Sequence, residues 1–381
     1  MKKLVEDTEY PDMICIQEAR LKSYDQHSRG RPMQSEYVAI QEALDTIFQA
    51  YQPVWSLADN KYAGTLTLVH NHLKLNVPSQ CAFSVEWAMD LLLTKFKVAR
   101  GVVGLETSSV SSPAKKVVKQ TSMKAFFAPK KTVASGNESL SCSGKHHPEG
   151  RFQFFSFADM DVIQTYVPNN GTKEESFCRR RDWDESMLKF LKDRRKLLEH
   201  CQKTDRPLLW CGDFNVAREY RDGTHWEKRP DGSIYEFWTD PEKCFVGKKG
   251  SVPTPDDPDN IGIPSFTVGE RKRFAALLQG GDFVDVWRAL HPNGVADSTL
   301  SKWDRPDYTW RGHLAKSDGY NAKFQGKGQR LDYFLLNPSK LIKSVQSCEI
   351  LGYGEQRRGH YCGSDHCAVQ LRLSEKRGVI E

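Results

Sequence analysis

The sequence predicts an α/β fold, on two observations. Short apolar runs recur and each closes on a polar or acidic side chain, and amphipathic helical stretches lie between them. The runs are Met13 to Gln17 before Glu18, Val162 to Tyr166 before Pro168-Asn169, and Leu208 to Cys211 before Asp213. Such runs read as buried strands, and in α/β sheets the crevice at the strand ends is where ligands bind.

The remaining elements follow in chain order. Ser84 to Val98 carries Val85, Met89, Leu92, Leu93 and Phe96 on one face and predicts an amphipathic helix docked on the core. Trp183 to Gln202 places Met187, Phe190, Leu191, Arg194 and Leu198 at three- and four-residue spacing, which predicts a second helix. Thr267-Val-Gly-Glu270 is a capping box, so a helix should start there and stop at Gly280-Gly281. Leu331 to Leu336 and Ala368 to Leu373 read as strands. Two stretches break the pattern. Glu106 to Lys145, with seven lysines against two glutamates, is expected to be a disordered basic insertion reaching residue 147. Asp222 to Pro264, rich in Gly, Pro and Asp, is expected to be an irregular surface insertion.

Composition narrows the function classes. At 381 residues the chain is long enough for one large or two smaller domains. No apolar run approaches the ~18 residues of a membrane span, and the two lysines at the start are not followed by a signal-like apolar segment. The expected compartment is nuclear, with cytoplasm or mitochondrion as alternatives, and no membrane partner is expected. Ten scattered cysteines without a CxxC pair argue against a zinc ribbon or a disulfide framework. A net charge of +6 is compatible with a polyanionic partner.

Five polar clusters sit at or beside the predicted strands: Gln17-Glu18, Tyr166 to Asn169, Gly212 to Asn215, Arg330 to Asp332, and Gly363 to His366. Singly, an acidic residue at a strand end is more often a turn or cap. Together they offer four carboxylates, a histidine, a tyrosine and two asparagines to one crevice. Hydrolysis of a phosphodiester needs such a set. A hard cation takes oxygen ligands, a further carboxylate removes a proton from water, and a histidine held by an aspartate stabilises charge on a phosphate oxygen.

The strings ICIQEARLK, QTYVPNNG, LLWCGDFNVA, FVDVWRALHP, RLDYFLLNPS and GSDHCAVQLRL resemble, in the same order, the exonuclease III family of AP endonucleases, within a wider superfamily of DNase I-like nucleases and phosphatases. The resemblance implies a single domain with a four-layer α/β/β/α sandwich of two mixed sheets flanked by helices. It implies Mg2+ as cofactor, with Mn2+ as a substitute, held by Glu18 and by Asp365 as a second ligand. Asp213 would activate the attacking water and Asn215 orient it. His366, held by Asp332, would contact the scissile phosphate with Tyr166 and Asn169. Trp310 and Leu331 would line an apolar slot for a flipped-out abasic sugar, against an equal reading of Trp310 as a core aromatic. The implied activity is cleavage 5′ to abasic sites in double-stranded DNA, with 3′-phosphodiesterase or 3′-to-5′ exonuclease action on blocked ends, by a monomer.

Two departures accompany the resemblance. Family members begin with a strand ending in Asn-x-x-Gly, and no such strand precedes Glu18 here, so the first strand is expected to be missing. A truncated start and a paralogue with impaired catalysis are the alternative explanations, and a small-molecule phosphoesterase is a more distant one. Within the basic insertion, Gln120, Met123, Phe126 and Phe127 match the spacing of peptides that bind the sliding clamp PCNA, as in a second class of eukaryotic AP endonucleases.

Overall fold

A computed structural model describes residues 2–23, 34–58, 62–105, 147–171, 173–224, 226–228, 230–231, 234–236, 262–294, 307–310, 328–352 and 364–374. The chain opens with α1 (Lys2–Asp7), β1 (Met13–Gln17), α2 (Gln34–Ile47), β2 (Tyr51–Ser56) and β3 (Thr65–His70). There follow α3 (Val77–Gln80), β4 (Cys81–Ala82), α4 (Val85–Phe96), β5 (Phe152–Ser156), β6 (Asp161–Tyr166), α5 (Glu174–His200) and β7 (Leu208–Asp213). A short hairpin, β8 (Trp226–Lys228) and β9 (Ile234–Glu236), precedes α6 (Val268–Gly280), β10 (Val284–Asp285) and α7 (Val286–Leu290). The last strands are β11 (Asp332–Asn337), β12 (Val345–Ile350) and β13 (Val369–Leu373). Among the described residues no helix is long and apolar enough to cross a membrane.

Alternation along the strands sets the layers. In β5, Phe154 packs with α4 and α5 while Phe155 faces the opposite way, towards Val54 and Val69; in β6, Ile163 and Val162 divide in the same manner. The six-stranded sheet, ordered β10-β11-β7-β6-β5-β4, is therefore buried on both faces. Its strands are antiparallel except β6 and β7, which run parallel and are joined by α5 as crossover. Helices α4, α5 and α6 cover one face. The other face meets a second β layer, whose outer side is covered by α1 and α2 through Val5, Leu44 and Phe48. The order is helix, sheet, sheet, helix, the four layers expected from the resemblance.

The second β layer comes in two pieces, β1-β3-β2 and β12-β13. β1 pairs with β3, and β13 with β12. Every residue of β1 and β13 is half-buried, whereas every residue of β5 and β6 is buried. A cleft of about 1900 Å³ separates β1 from β13.

The expected helices form, α5 starting at Glu174, nine residues before the predicted Trp183. Ser84 Oγ accepts from the Trp87 amide at the start of α4. At α6 the capping box closes in both directions: Thr267 Oγ1 accepts from the Glu270 amide at 3.2 Å, and Glu270 Oε2 from the Thr267 amide at 3.0 Å. One expectation needs correction. The stretch from Asp222 onward does not begin on the surface: Asp222 is fully buried, the adjoining Thr224 is 1% exposed, and β8–β9 follows. Two arginines explain this, because the Arg330 Nε donates to Asp222 at 2.9 Å and Arg288 donates to the same oxygen. Residues 237–261 lie outside the described residues. So do residues 106–146, including Gln120, Met123, Phe126 and Phe127.

Arg330 is fully buried, shared between Asp222 and both oxygens of Asp285 at 2.9 and 2.6 Å, with its guanidinium over the Trp287 and Tyr333 rings. It sits one turn of alternation away from Asp332 and anchors the start of β11. Removing one partner of a buried charge network leaves the others uncompensated, at a cost of about 3–5 kcal/mol. Arg330→Leu is expected to lose stability of that order, read as a lowered denaturant midpoint in guanidinium titration; a shift under 1 kcal/mol would contradict the role given to this network.

Candidate active site

Strand register assembles the site. Tyr166 ends β6, Asp213 ends β7 and Asp332 begins β11, and the pairing places Tyr166 opposite Asp213 and Asp213 opposite Asp332. Cross-strand partners point to the same face, so three functional side chains stand abreast. The backbone permits this at Gly212, where φ is +136° and a Cβ would lie 1.9 Å from the Thr165 carbonyl oxygen. Only glycine lets β7 approach β6 so closely just before Asp213.

The turn after β7 then folds back on the carboxylate. The Asn215 amide donates to Asp213 Oδ1 at 2.7 Å, and its side-chain Nδ2 donates to Asp213 Oδ2 at 3.1 Å and to the Val167 carbonyl at 2.9 Å. Asn215 has φ +47°, a conformation asparagine tolerates better than most residues. Asn169 Nδ2 donates to Asn215 Oδ1 at 3.1 Å, while its Oδ1 accepts from the Gly171 amide at 2.7 Å.

Two loops complete the site from either side. Glu18, just after β1, adopts φ +52° and accepts hydrogen bonds from the Tyr166 hydroxyl and from Arg20 Nε, the latter at 2.7 Å. A left-handed glutamate is strained, and such strain concentrates at functional positions. Across the site His366 Nδ1 contacts Asp332 Oδ2 at 2.8 Å, and Trp310 Nε1 donates to Asp365 Oδ2 at 3.3 Å. Trp310, Leu331 and Phe266 form a small apolar cluster with Ala217 beside these polar groups. Glu18, Asp332, Asp365 and His366 all open onto the active-site end of the cleft between β1 and β13. All ten expected site residues thus gather at one end of the two β layers.

The electrostatics shift Asp213 and His366 in ways that leave both able to carry a proton near neutral pH. Burial pushes the Asp213 carboxyl up to about 7, with the Asp332 charge adding to the effect and His366 and the Asn215 amide opposing it. For His366 burial works downward, but the Asp332 carboxylate and its hydrogen bond outweigh it and raise the imidazole to about 10. Burial, reinforced by Glu18, raises the Tyr166 phenol, which stays protonated.

Several supporting residues carry no signal as a site. Arg151, fully buried, lays its guanidinium 4.5 Å from the Tyr166 ring centroid and donates to the Tyr166 carbonyl at 3.0 Å. Arg180 donates to the carbonyls of Pro168 and Asn215 at 3.1 and 3.2 Å, and Asp184 holds it one turn along α5. Thr309 Oγ1 accepts from the amides of Leu331 and Asp332, fixing the approach to β11. The i,i+4 pair Arg180–Asp184 on an otherwise apolar helical face was the one legible clue; a charge pair there must serve something buried.

Fold and site together describe a hydrolase built on two packed sheets, with a cluster of carboxylates at the strand ends. The family profile of the Endonuclease/Exonuclease/phosphatase family matches residues 2–366, and the chain belongs to that family. It is 29% identical over 394 residues to a DNA-(apurinic or apyrimidinic site) endonuclease of Arabidopsis thaliana, covering 100% of this chain and 80% of that protein. A protein of the same description from Plasmodium falciparum is 30% identical over 237 residues, which are 61% of this chain and 33% of the relative. Among solved structures, the AP endonuclease of Leishmania major superposes with a TM-score of 0.55 at 19% identity, covering 98% of this chain and 81% of that one. A Neisseria 3′ phosphatase bound to a product DNA hairpin does so with a TM-score of 0.52 at 17% identity, covering 98% and 93%. The two structures share the fold, and the comparisons bear out the resemblance to AP endonucleases read from the sequence.

Two outcomes follow from the pKa directions. Asp213 titrates higher in the folded chain than the usual value near 3.8, so the stability it permits is complete below about 4 and is lost as pH rises through about 7. Asp213→Asn is therefore expected to be more stable than the parent at pH 8, by up to about 4 kcal/mol, with the gap closing towards pH 4 in denaturant titrations. An equal or lower stability at pH 8 would contradict the burial cost assigned to this carboxylate. Asp332→Asn should move the His366 imidazole titration, followed by NMR, downward from about 10 by at least one pH unit; an unmoved midpoint would place the source of the shift elsewhere.

Proposed function

We propose that this protein is a DNA repair phosphodiesterase that hydrolyses the backbone 5′ to abasic sites and processes blocked 3′ ends. The observation that carries the reading is the row Tyr166, Asp213 and Asp332, with His366 bound to Asp332. A carboxylate near 7 beside an imidazolium stable to about 10 is matched to water activation and phosphate stabilisation at neutral pH. The descriptions of the Arabidopsis and Plasmodium relatives, and the DNA bound to the Neisseria phosphatase, support DNA as substrate.

In this reading Asp213 takes the proton from the attacking water, and Asn215, locked to both Asp213 oxygens, orients that water. Protonated His366 donates to a phosphate oxygen through the nitrogen left by its contact with Asp332, and the Asn169 amide and the Tyr166 hydroxyl hold the same phosphate. Trp310, Leu331 and Phe266 receive the sugar that lacks a base.

The donor set fits a hard cation: Glu18 and Asp365 offer carboxylate oxygens at an accessible end of the cleft, and one or two carboxylates plus water suit Mg2+, with Mn2+ as substitute. Such an ion supplies charge neutralisation at the phosphate when bound. Nuclear residence and tethering to PCNA through Gln120, Met123, Phe126 and Phe127 belong to the same proposal and rest on the sequence alone.

Cleavage of a duplex carrying a single abasic-site analogue tests the reading. The chain with Mg2+ should cut it, EDTA should stop it, and Asp213→Asn should lose at least about a thousandfold in rate while binding the duplex with affinity within about threefold of the parent. Binding should weaken steeply with salt, because phosphate contacts dominate. Undiminished cleavage by Asp213→Asn, or a soluble phosphomonoester cut in preference to abasic DNA, would overturn it.

A further inference from the structure

Beside the row of Tyr166, Asp213 and Asp332 runs a second row, set by single cross-strand pairings. Trp310 pairs with His366 on one side and with Gln329 on the other, and Gln329 pairs in turn with Gly223, all antiparallel. The Trp310 and Gln329 backbones exchange both hydrogen bonds at 2.9 Å, and the Cys367 amide donates to the Thr309 carbonyl at 2.7 Å. Cross-strand partners present their side chains on one face. His366, Trp310 and Gln329 therefore stand in line, with Gly223, which has no side chain, beyond them. At ~4.8 Å per strand, Gln329 lies two spacings, or ~10 Å, from the histidine.

Alternation along the chain agrees with this placement. Arg330 turns the other way, into the network with Asp222 and Asp285, whereas Leu331 packs with Trp310, Phe266 and Ala217. Gln329 thus faces the apolar cluster and not the ion pairs behind it. It is 3% exposed, and among the described residues its Nε2 has no hydrogen-bond partner. The Trp310 Nε1, by contrast, donates to Asp365. A buried amide donor without an acceptor destabilises a fold, and an apolar side chain of the same size would fill the place without that penalty. A ligand oxygen entering over Trp310 would complete the donor.

The order of the row says which oxygen this is. With a phosphate at His366 and its sugar over Trp310, the part of the sugar that reaches Gln329 is the edge remote from the phosphate, C1′. A deoxyribose without its base carries an oxygen there, a hydroxyl in the closed ring and a carbonyl in the open form, and both accept a hydrogen bond. We propose that Gln329 is a specificity-determining residue that donates its side-chain amide to the C1′ oxygen of an abasic deoxyribose. That role deepens the phosphodiesterase reading and rests on it. The slot then reads the lesion by a polar contact as well as by apolar fit, and a sugar lacking the oxygen leaves the amide unpaired.

Single-turnover cleavage is measured on two duplexes that differ only at the lesion. One carries the natural abasic sugar and the other its tetrahydrofuran analogue, which has no oxygen on C1′. The parent chain and Gln329→Met are compared, and both are unfolded in guanidinium. The parent should cut the natural site about tenfold faster than the analogue, the effect of one hydrogen bond, whereas Gln329→Met should cut the two within about twofold. The loss should fall on the natural site, with the analogue cut at least as fast by the variant as by the parent. Gln329→Met should also unfold at a denaturant midpoint no lower than the parent's, since it removes an unpaired donor. Equal cleavage of both duplexes by the parent, or a preference that survives in Gln329→Met, would overturn the proposal and leave the phosphodiesterase reading standing. So would a lowered midpoint in Gln329→Met, because the amide then has a partner within the fold. Should the parent with Mg2+ cut neither duplex, the phosphodiesterase reading falls, and the role of Gln329 with it.

Discussion

Asp213 is 5% exposed, and it stands level with Tyr166 on one side and Asp332 on the other because β6, β7 and β11 are paired in one register. That register is the constraint on which the active centre depends. A slip of one residue would turn each of these side chains to the opposite face of its strand. It is held by features that look unrelated in the sequence: the close approach at Gly212, the Arg330 anchor beneath β11, and Arg180 gripping the carbonyls of Pro168 and Asn215. A comparable anchor secures the start of β6, where fully buried Asp161 accepts from Arg194 and Arg206 at 2.8 and 2.6 Å.

The burial that raises Asp213 and the ion pair that raises His366 work in opposite senses on stability. Burying a carboxylate costs free energy at neutral pH, and the His366–Asp332 pair offsets part of it. The site is thus a place where the fold accepts a local cost to hold two titratable groups with pKa values shifted toward and above neutrality, which is the setting the proposed hydrolysis needs.

Much of this was legible in the sequence because chemistry and strand ends coincide. Glu18, Tyr166, Asp213, Asp332 and His366 each follow or precede an apolar run, and the capping box at Thr267 marked the start of α6 within a residue. What the sequence did not disclose was long-range. β2 and β3 were not singled out, although Val54 and Val69 pack against Phe155 at the centre of the sandwich. The stretch starting at Asp222 looked like surface because glycine, proline and aspartate dominate it, and nothing local says that Asp222 is neutralised by arginines 66 and 108 residues away. Arg194 was placed correctly on the buried face of its helix, but its partner Asp161 lies 33 residues off.

The measurement that bears most directly on the account is the pH dependence of single-turnover cleavage of an abasic-analogue duplex at saturating Mg2+. With Asp213 as base, the rate should rise about tenfold per pH unit below about 7, then level off while His366 stays protonated, and fall as pH approaches 10. A rate that is flat between pH 5 and 8, or one that Asp213→Asn reproduces, would contradict the assignment of Asp213 as the catalytic base.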